Sequence, residues 1–310
     1  GVLSSALGPS KGLNMKWSLG SKRGAPDGLW MKCEACDNLV YKKVVEDAHH
    51  VCPECGFHFR ISAAKRIEYL LDDGSFVEHF SNLESIDALN FKGQKSYKDK
   101  LLKAQKNTGQ REAAVFGTGA IAGQKVVFGV IDANFIMGSM GSVVGEKIAR
   151  GAELARKEKL PFIVVSGSGG GARMEERILS LFQMDKTSAA IKRLQDAGGI
   201  YIAILTNATM GGSMASWASL GDITIAEPKA LLGFAGPRVI AQTVRQELPA
   251  GFQTSEFLLD HGFVDMVVAR KELRQKLISL LRYTCREMPA YVKQSGRQTS
   301  KVEAPKVASR

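Results

Sequence analysis

The stretch from Phe162 to Glu175 decides what the rest of the chain has to accommodate. It reads as a short apolar strand, the loop Ser166-Gly167-Ser168-Gly169-Gly170-Gly171-Ala172-Arg173, and then a helix. β-Prone residues bounded by Pro161 and the glycines predict a fully buried strand. From Met174 the apolar residues Met174, Ile178, Leu181 and Phe182 recur at helical spacing, which predicts a helix running to about Gln195. A strand therefore hands over to a helix through a loop almost without side chains, where a ligand meets backbone. The start of a helix adds unpaired N–H groups and a partial positive charge, which favour an anion or a developing oxyanion.

Three named motifs compete for this loop and each lacks a part. Gly167, Gly169 and Ala172 fit the dinucleotide fingerprint, but the next strand, Tyr201 to Leu205, runs into Thr206-Asn207 and offers no carboxylate to a ribose. A phosphate loop needs Gly-Lys-Ser/Thr where Ala172-Arg173 stands. A hydrolase elbow needs a glycine where Ser166 precedes Ser168. An oxyanion-binding loop survives, beside the plainer alternative of a glycine-rich turn that serves packing alone.

The same order of strand, glycine loop and helix recurs. Val115–Ile121 and Val126–Ile131 read as a hairpin closed at Ala122-Gly123-Gln124, followed by the loop Phe135 to Ser142 and a helix from Val143 to Lys159 with Ser142 as N-cap. The strand Tyr201–Leu205 leads into a third loop, Thr206 to Ser213, and another short helix. Short strands at 223–225 and 230–232 and the loop Gly233 to Arg238 follow. This predicts an α/β chain coiling in ββα-like turns with its glycine loops on one side, not an alternating doubly wound sheet. Before it, residues 62–109 read as polar and helical, with Ser62 as an N-cap, anchors at Leu70, Leu71 and Phe76, and Tyr97, Leu101 and Leu102 on one face.

Ahead of that core, Cys33-x-x-Cys36, fifteen residues and Cys52-x-x-Cys55 place four thiols at structural-zinc spacing, each pair forming a knuckle of one tetrahedral site. A disulfide framework fits poorly with a chain that shows no secretory signal. His49, His50 and His58 lie close by, but four thiolates already fill a zinc shell. The domains expected are a flexible lead at 1–28, a zinc ribbon at 29–60, a catalytic domain at 61–289 and a basic tail at 290–310. No run of about 18 apolar residues occurs, so no transmembrane helix is expected and a cytoplasmic location is. The net charge of +11 concentrates at the two ends, around a nearly neutral middle. Basic ends suit a polyphosphate ligand, an acidic partner or a nucleic acid, whereas a neutral core argues against a nucleic-acid cradle.

These residues resemble a known family. The ribbon, Tyr97-Lys98-Asp99, Phe135 to Val143, Ser168 to Met174, Met184 to Ala189, Thr209-Met210-Gly211-Gly212, Gly221-Asp222, Ala226-Glu227-Pro228-Lys229-Ala230 and Gly233 to Ile240 are similar to the bacterial acetyl-CoA carboxylase carboxyltransferase β subunits over roughly residues 28 to 285. The resemblance implies a crotonase-like ββα spiral behind the four-cysteine ribbon. It implies one structural zinc on Cys33, Cys36, Cys52 and Cys55, and a carboxyltransferase α subunit as partner in an α2β2 assembly. The reaction it implies moves a carboxyl group from carboxybiotin, borne on a biotin carboxyl carrier protein and charged by biotin carboxylase, to acetyl-CoA, giving malonyl-CoA for fatty-acid synthesis. Catalysis would rest on backbone amides at Gly170, Gly171, Gly211 and Gly212, and acyl-CoA contacts on Arg173, Lys229, Gly236 and Arg238. The chain departs from the family's Ser-Gly-Gly-Ala-Arg by one further glycine at 169–171, and from its Gln-Glu by Glu175-Glu176.

That chemistry agrees with the loop argument. Removing a proton from a thioester methyl builds an enolate oxyanion, which preorganised amides stabilise, and the chain has only His261 beyond residue 80 to serve as an imidazole base. A zinc-ribbon nucleic-acid-binding regulator is the alternative from another class, and a carboxyltransferase for another short acyl-CoA the alternative within it. A pure binding module has no use for a neutral core with three glycine loops.

Overall fold

The computed structural model describes residues 28–93, 95–244 and 248–285, so nearly all of the expected lead and the whole basic tail lie outside it. Four long parts of the chain explain the architecture. β4 (Ala114–Ile121) and β5 (Gln124–Ile131) form the expected hairpin, in register from Ala114 opposite Ile131 to Ile121 opposite Gln124. β6 (Phe162–Ser166) and β7 (Tyr201–Leu205) are buried at every position, which is why they read as continuous apolar runs and not as alternating ones. With β3 (Val77–His79), β9 (Ile223–Ala226) and β11 (Met266–Val267) they build one seven-stranded sheet in the order β11-β9-β7-β6-β5-β4-β3.

From β5 to β11 all neighbours are parallel, and each new strand adds to the same edge. Right-handed crossovers between strands added in one direction put their helices on one face, so α4 (Ser142–Glu158) and α5 (Ile178–Asp196) pack side by side over that face. The sheet never reverses direction, so it coils as a spiral, as the sequence predicts. The opposite face is closed by α2 (Ala63–Leu70) and α9 (Arg270–Thr284), through Leu70, Leu71, Leu273, Leu277 and Leu281.

Several local expectations hold and some need correction. Ser62 caps α2, accepting from the Lys65 amide at 3.4 Å. In α3 (Tyr97–Thr108) Tyr97 and Leu101 are buried, but Leu102 points outward. Ser142 is the first residue of α4 and not its cap, because Gly141 holds the extended cap position and the Ser142 amide instead donates to Glu176 at 2.6 Å. The helix expected from Met174 is interrupted. A 3-10 turn at Met174–Glu176 ends at Arg177, whose φ of 47° breaks the helical path before α5 begins. The spacing of Met174, Ile178, Leu181 and Phe182 carries no sign of that break, and all four side chains are exposed.

The ribbon is a small unit with its own core. β1 (Trp30–Lys32) pairs with β2 (Leu39–Tyr41), α1 (Lys42–Asp47) follows, and Val40, Val45 and Phe59 pack around the cysteines. Among the described residues no helix is long and apolar enough to cross a membrane.

Candidate functional site

Three glycine loops converge where the parallel strands end. The Gly170 amide donates to Met137 O at 3.0 Å, the Met140 amide to Gly171 O at 2.7 Å, and the Arg173 amide to Met140 O at 2.9 Å, which stitches the 135–141 loop to the central one. The Met210 amide donates to Ser168 O at 2.9 Å, which joins the third loop. A fourth segment enters through β8 (Thr209–Met210) and β10 (Leu232–Gly233), a separate parallel pair, and the Gly211 amide donates to Phe234 O at 2.9 Å. α6 (Gly211–Met214) then starts at the point of closest approach. There Gly171 and Gly211, with φ of 58° and 61°, leave room for one another. A Cβ on Gly171 would lie 3.3 Å from the Gly211 Cα and 3.4 Å from the Gly212 nitrogen.

The four glycines expected to act through their amides therefore divide. Those of Gly170 and Gly211 are already engaged, to Met137 O and Phe234 O. Those of Gly171 and Gly212 meet no acceptor among the described residues, although both residues are buried. Buried backbone N–H groups are nearly always bonded, so two unbonded ones at a loop junction call for a functional reason. Ser168 is wholly buried, and its hydroxyl lies 2.6 Å from both Gly138 O and Ser213 Oγ. It braces the loops and is not presented as a nucleophile. His261 is an exposed residue of the 255–261 segment, stacked on Phe257, with Nδ1 2.7 Å from the Phe257 carbonyl.

Arg173 corrects one expectation. Its guanidinium is fully enclosed and cannot reach a polyphosphate. Nε donates to Ser139 Oγ, Nη1 to Ser85 Oγ, Tyr97 OH and Glu112, and Nη2 to Glu112 Oε1 at 2.7 Å and Ser139 O at 2.9 Å. Burial alone would raise the Glu112 carboxyl, but Arg173 outweighs it and holds the group below the usual carboxylate range. Glu176, which accepts from Tyr97 OH at 2.6 Å and from the Ser142 amide, extends the cluster to the start of α4. Arg173 thus fixes the end of the glycine loop from behind. Glu112 and Ser139 carried no local signal of this role, because their partners are 61 and 34 residues away in the chain.

The other expected acyl-CoA contacts are scattered. Lys229 donates from Nζ to Cys55 O at 2.7 Å, which turns it toward the ribbon. Gly236 accepts from the Ile240 amide at 3.1 Å as α7 (Pro237–Val244) begins, and the Arg238 side chain lies outside the described residues. A second buried cluster, also unheralded in the sequence, joins Glu227 to Arg66 and Arg270. Burial would raise the Glu227 carboxyl, yet the two guanidiniums hold it far below its ordinary range.

The four cysteine sulfurs lie within 4.8 Å of one another, with Cys33 to Cys55 at 3.7 Å and Cys36 to Cys52 at 3.9 Å. Four thiolates about 2.3 Å from a tetrahedral zinc stand about 3.8 Å apart, so the set fits that ion. No pair is near the roughly 2.05 Å of a disulfide.

Comparison with known proteins agrees with this geometry. The family described as carboxyl transferase domain matches residues 60–309, and the acetyl-CoA carboxylase zinc finger domain matches residues 30–55. Relatives include the acetyl-coenzyme A carboxylase carboxyl transferase subunit beta of Rhodopirellula baltica, 51% identical over 84% of this chain and 84% of its own. The subunit beta of Citrifermentans bemidjiense is 54% identical over 83% and 90%. A beta/alpha protein of Natranaerobius thermophilus is 50% identical over 87% of this chain and 44% of its own. Among solved structures, the Pseudomonas malonate decarboxylase MdcD-MdcE hetero-dimer matches at a TM-score of 0.56 and 26% identity, over 74% of this chain and 88% of that one. Transcarboxylase 12S shares the fold at a TM-score of 0.62 and 24% identity, over 78% of this chain and 44% of that one. The paired glycine loops, the four-thiol ribbon and relatives at half or more identity over most of the chain agree, and the protein belongs to the acetyl-CoA carboxylase carboxyl transferase subunit beta family.

Proposed function

We propose that this β subunit receives the thioester carbonyl oxygen of acetyl-CoA between the amides of Gly171 and Gly212 and stabilises it as an enolate oxyanion. The supporting observation is the pair of buried amides without acceptors at the junction of two loops. The methyl C–H bond breaks, its electron pair becomes the enolate, and the new C–C bond to the incoming carboxyl group gives malonyl-CoA. Carboxybiotin on its carrier protein would supply the carboxyl group through cleavage of its ureido N–C bond, whose electron pair stays on the nitrogen and would take up the methyl proton. The chain's own residues supply geometry. Gly170 and Gly211 hold the loops together through their engaged amides, Ser168 braces them, and Arg173 fixes the loop end against Glu112.

The α subunit docks on the exposed apolar face that follows the central glycine loop. Met174, Ile178, Leu181 and Phe182 are all exposed beside the central loop, and Phe234 is exposed on the segment that bonds Gly211. A large apolar patch on a soluble chain marks an interface, and its position next to the amides supports an active site completed by α in an α2β2 assembly. The carrier protein and biotin carboxylase act with that assembly in the cytoplasm. On the ribbon, Lys32 pairs with Asp37 and Lys42 with Glu46. Local pairing of ribbon lysines favours the enzyme reading over a nucleic-acid regulator.

The test is turnover of malonyl-CoA in the presence of biotin by the purified chain, before and after addition of an α subunit. Activity only in the mixture is expected. Activity of the β chain alone, unchanged by α, contradicts the shared site.

A further inference from the structure

The ribbon is bolted to the core at the segment that holds the third glycine loop. Arg270, the first residue of α9, uses all five guanidinium N–H groups. Nε donates to Glu227 Oε1 at 2.8 Å, Nη1 to His49 O and His50 O at 3.0 and 3.1 Å, and Nη2 to Phe59 O at 2.9 Å and Glu227 Oε2 at 2.8 Å. Its backbone amide donates to His58 Nε2 at 3.2 Å. Two arginines share the one carboxylate of Glu227, so the cluster carries a surplus positive charge, and Arg270 directs it onto ribbon carbonyls. Lys229 adds a second tie, to Cys55 O.

On the core side the tie continues without slack. The Glu227 amide donates to Leu205 O at 2.9 Å, at the end of β7. Leu231 accepts from the Thr209 amide at 3.0 Å and donates its own to Asn207 Oδ1 at 3.2 Å, and Phe234 O accepts from Gly211. Glu227 to Phe234 is thus a short strut, gripped by the ribbon at one end and gripping the Gly211–Gly212 loop at the other. We propose that Arg270 is a positioning residue through which the docked ribbon sets the geometry of that loop. The proposal rests on the oxyanion role of Gly212 for its effect on turnover, but not for the mechanical link.

Arg270→Lys keeps the charge and loses the fork, so it releases the ribbon carbonyls while leaving a cation beside Glu227. In the zinc-loaded chain assembled with α, amide hydrogen exchange over residues 208–214 and 228–234 should accelerate about tenfold, together with the ribbon, while residues 142–166 stay as in the parent. The kcat should fall about tenfold with the KM for acyl-CoA within about twofold. Lys229→Met, at an exposed contact, should reproduce the pattern more weakly and covers the case in which Arg270→Lys fails to fold. Exchange at 208–214 that stays at the parent rate in the folded variants overturns the proposal, as does acceleration confined to the ribbon. Faster exchange at 208–214 with unchanged kcat upholds the strut and contradicts the oxyanion role instead.

Discussion

The ribbon and the glycine-loop core solve the same problem of holding short segments in place, and they solve it on different scales. The ribbon's own buried residues amount to a few side chains around four cysteines, so its order depends on the metal its thiols hold. The core is organised by a seven-stranded sheet with an apolar layer on each face, and its loops are fixed by backbone bonds and by ion pairs that are entirely buried. Each is also supported at one arginine, Arg270 at the ribbon contact and Arg173 behind the glycine loop. The lesson is that a metal stabilises local structure by itself, whereas backbone amides become useful only when distant parts of the chain lock them.

Breaking each region should expose that difference. Cys33→Ala removes a thiolate from the four-sulfur set. Zinc measured by elemental analysis should fall from about one per chain to near zero, while the far-ultraviolet signal of the core persists. Retention of stoichiometric zinc would contradict the ligand assignment. Arg173→Met strands the Glu112 carboxylate in the interior and should destabilise the core by about 3–5 kcal/mol, read from urea unfolding of the zinc-loaded protein. A midpoint close to the parent's would mean that the cluster is not what secures the loop.

Smaller effects sharpen the comparison. Phe182→Asp alters an exposed residue, so unfolding should change by no more than about 0.5 kcal/mol. Association with the α subunit should weaken by about 2 kcal/mol or more, measured by sedimentation or calorimetry. Unchanged association moves the interface elsewhere. The buried acids give a pH signature. Glu112 and Glu227 have folded-state pKa values below the ordinary range, held there by their arginines against burial. Their stabilisation is complete above about pH 4.3, the unfolded value, and is lost as pH falls further toward the folded values. The urea midpoint should therefore fall as the pH drops below about 4, and less steeply in Glu227→Gln than in the parent.

How much of this was readable from the chain follows from the range of each interaction. The ribbon was legible because its ligands lie within 23 residues and their spacing is itself the geometry. Strands β6 and β7 were legible because burial on both faces writes a continuous apolar run, and β4 and β5 because the short turn at Ala122-Gly123-Gln124 marks a hairpin. The apolar spacing from Met174 to Phe182 predicted one helix but not its break at Arg177, and it could not say whether the stripe is buried, because periodicity records that a face is apolar and not whether this chain or another covers it. Arg173 was placed on the ligand, since a basic residue after a glycine loop looks the same whether it faces a phosphate or a buried glutamate 61 residues earlier. Glu227 was read only as part of the 226–230 motif, and nothing local announced its pairing with Arg270, 43 residues later. The sequence also left the four glycines equivalent, and only the pairing with Met137 O and Phe234 O separates those that brace from those with a free amide.

The central claim is that the unbonded amides of Gly171 and Gly212 face the reacting oxygen. Gly171→Ala tests it most directly, because the added methyl would sit 3.4 Å from the Gly212 nitrogen on a backbone with φ of 58°. In the zinc-loaded protein assembled with α, its turnover should fall by about 10² or more. Ser168→Ala, which removes a hydroxyl bonded only to loop atoms, should retain most activity. The contrary result, loss of turnover in Ser168→Ala with near-normal turnover in Gly171→Ala, would replace backbone stabilisation with side-chain catalysis and overturn the account.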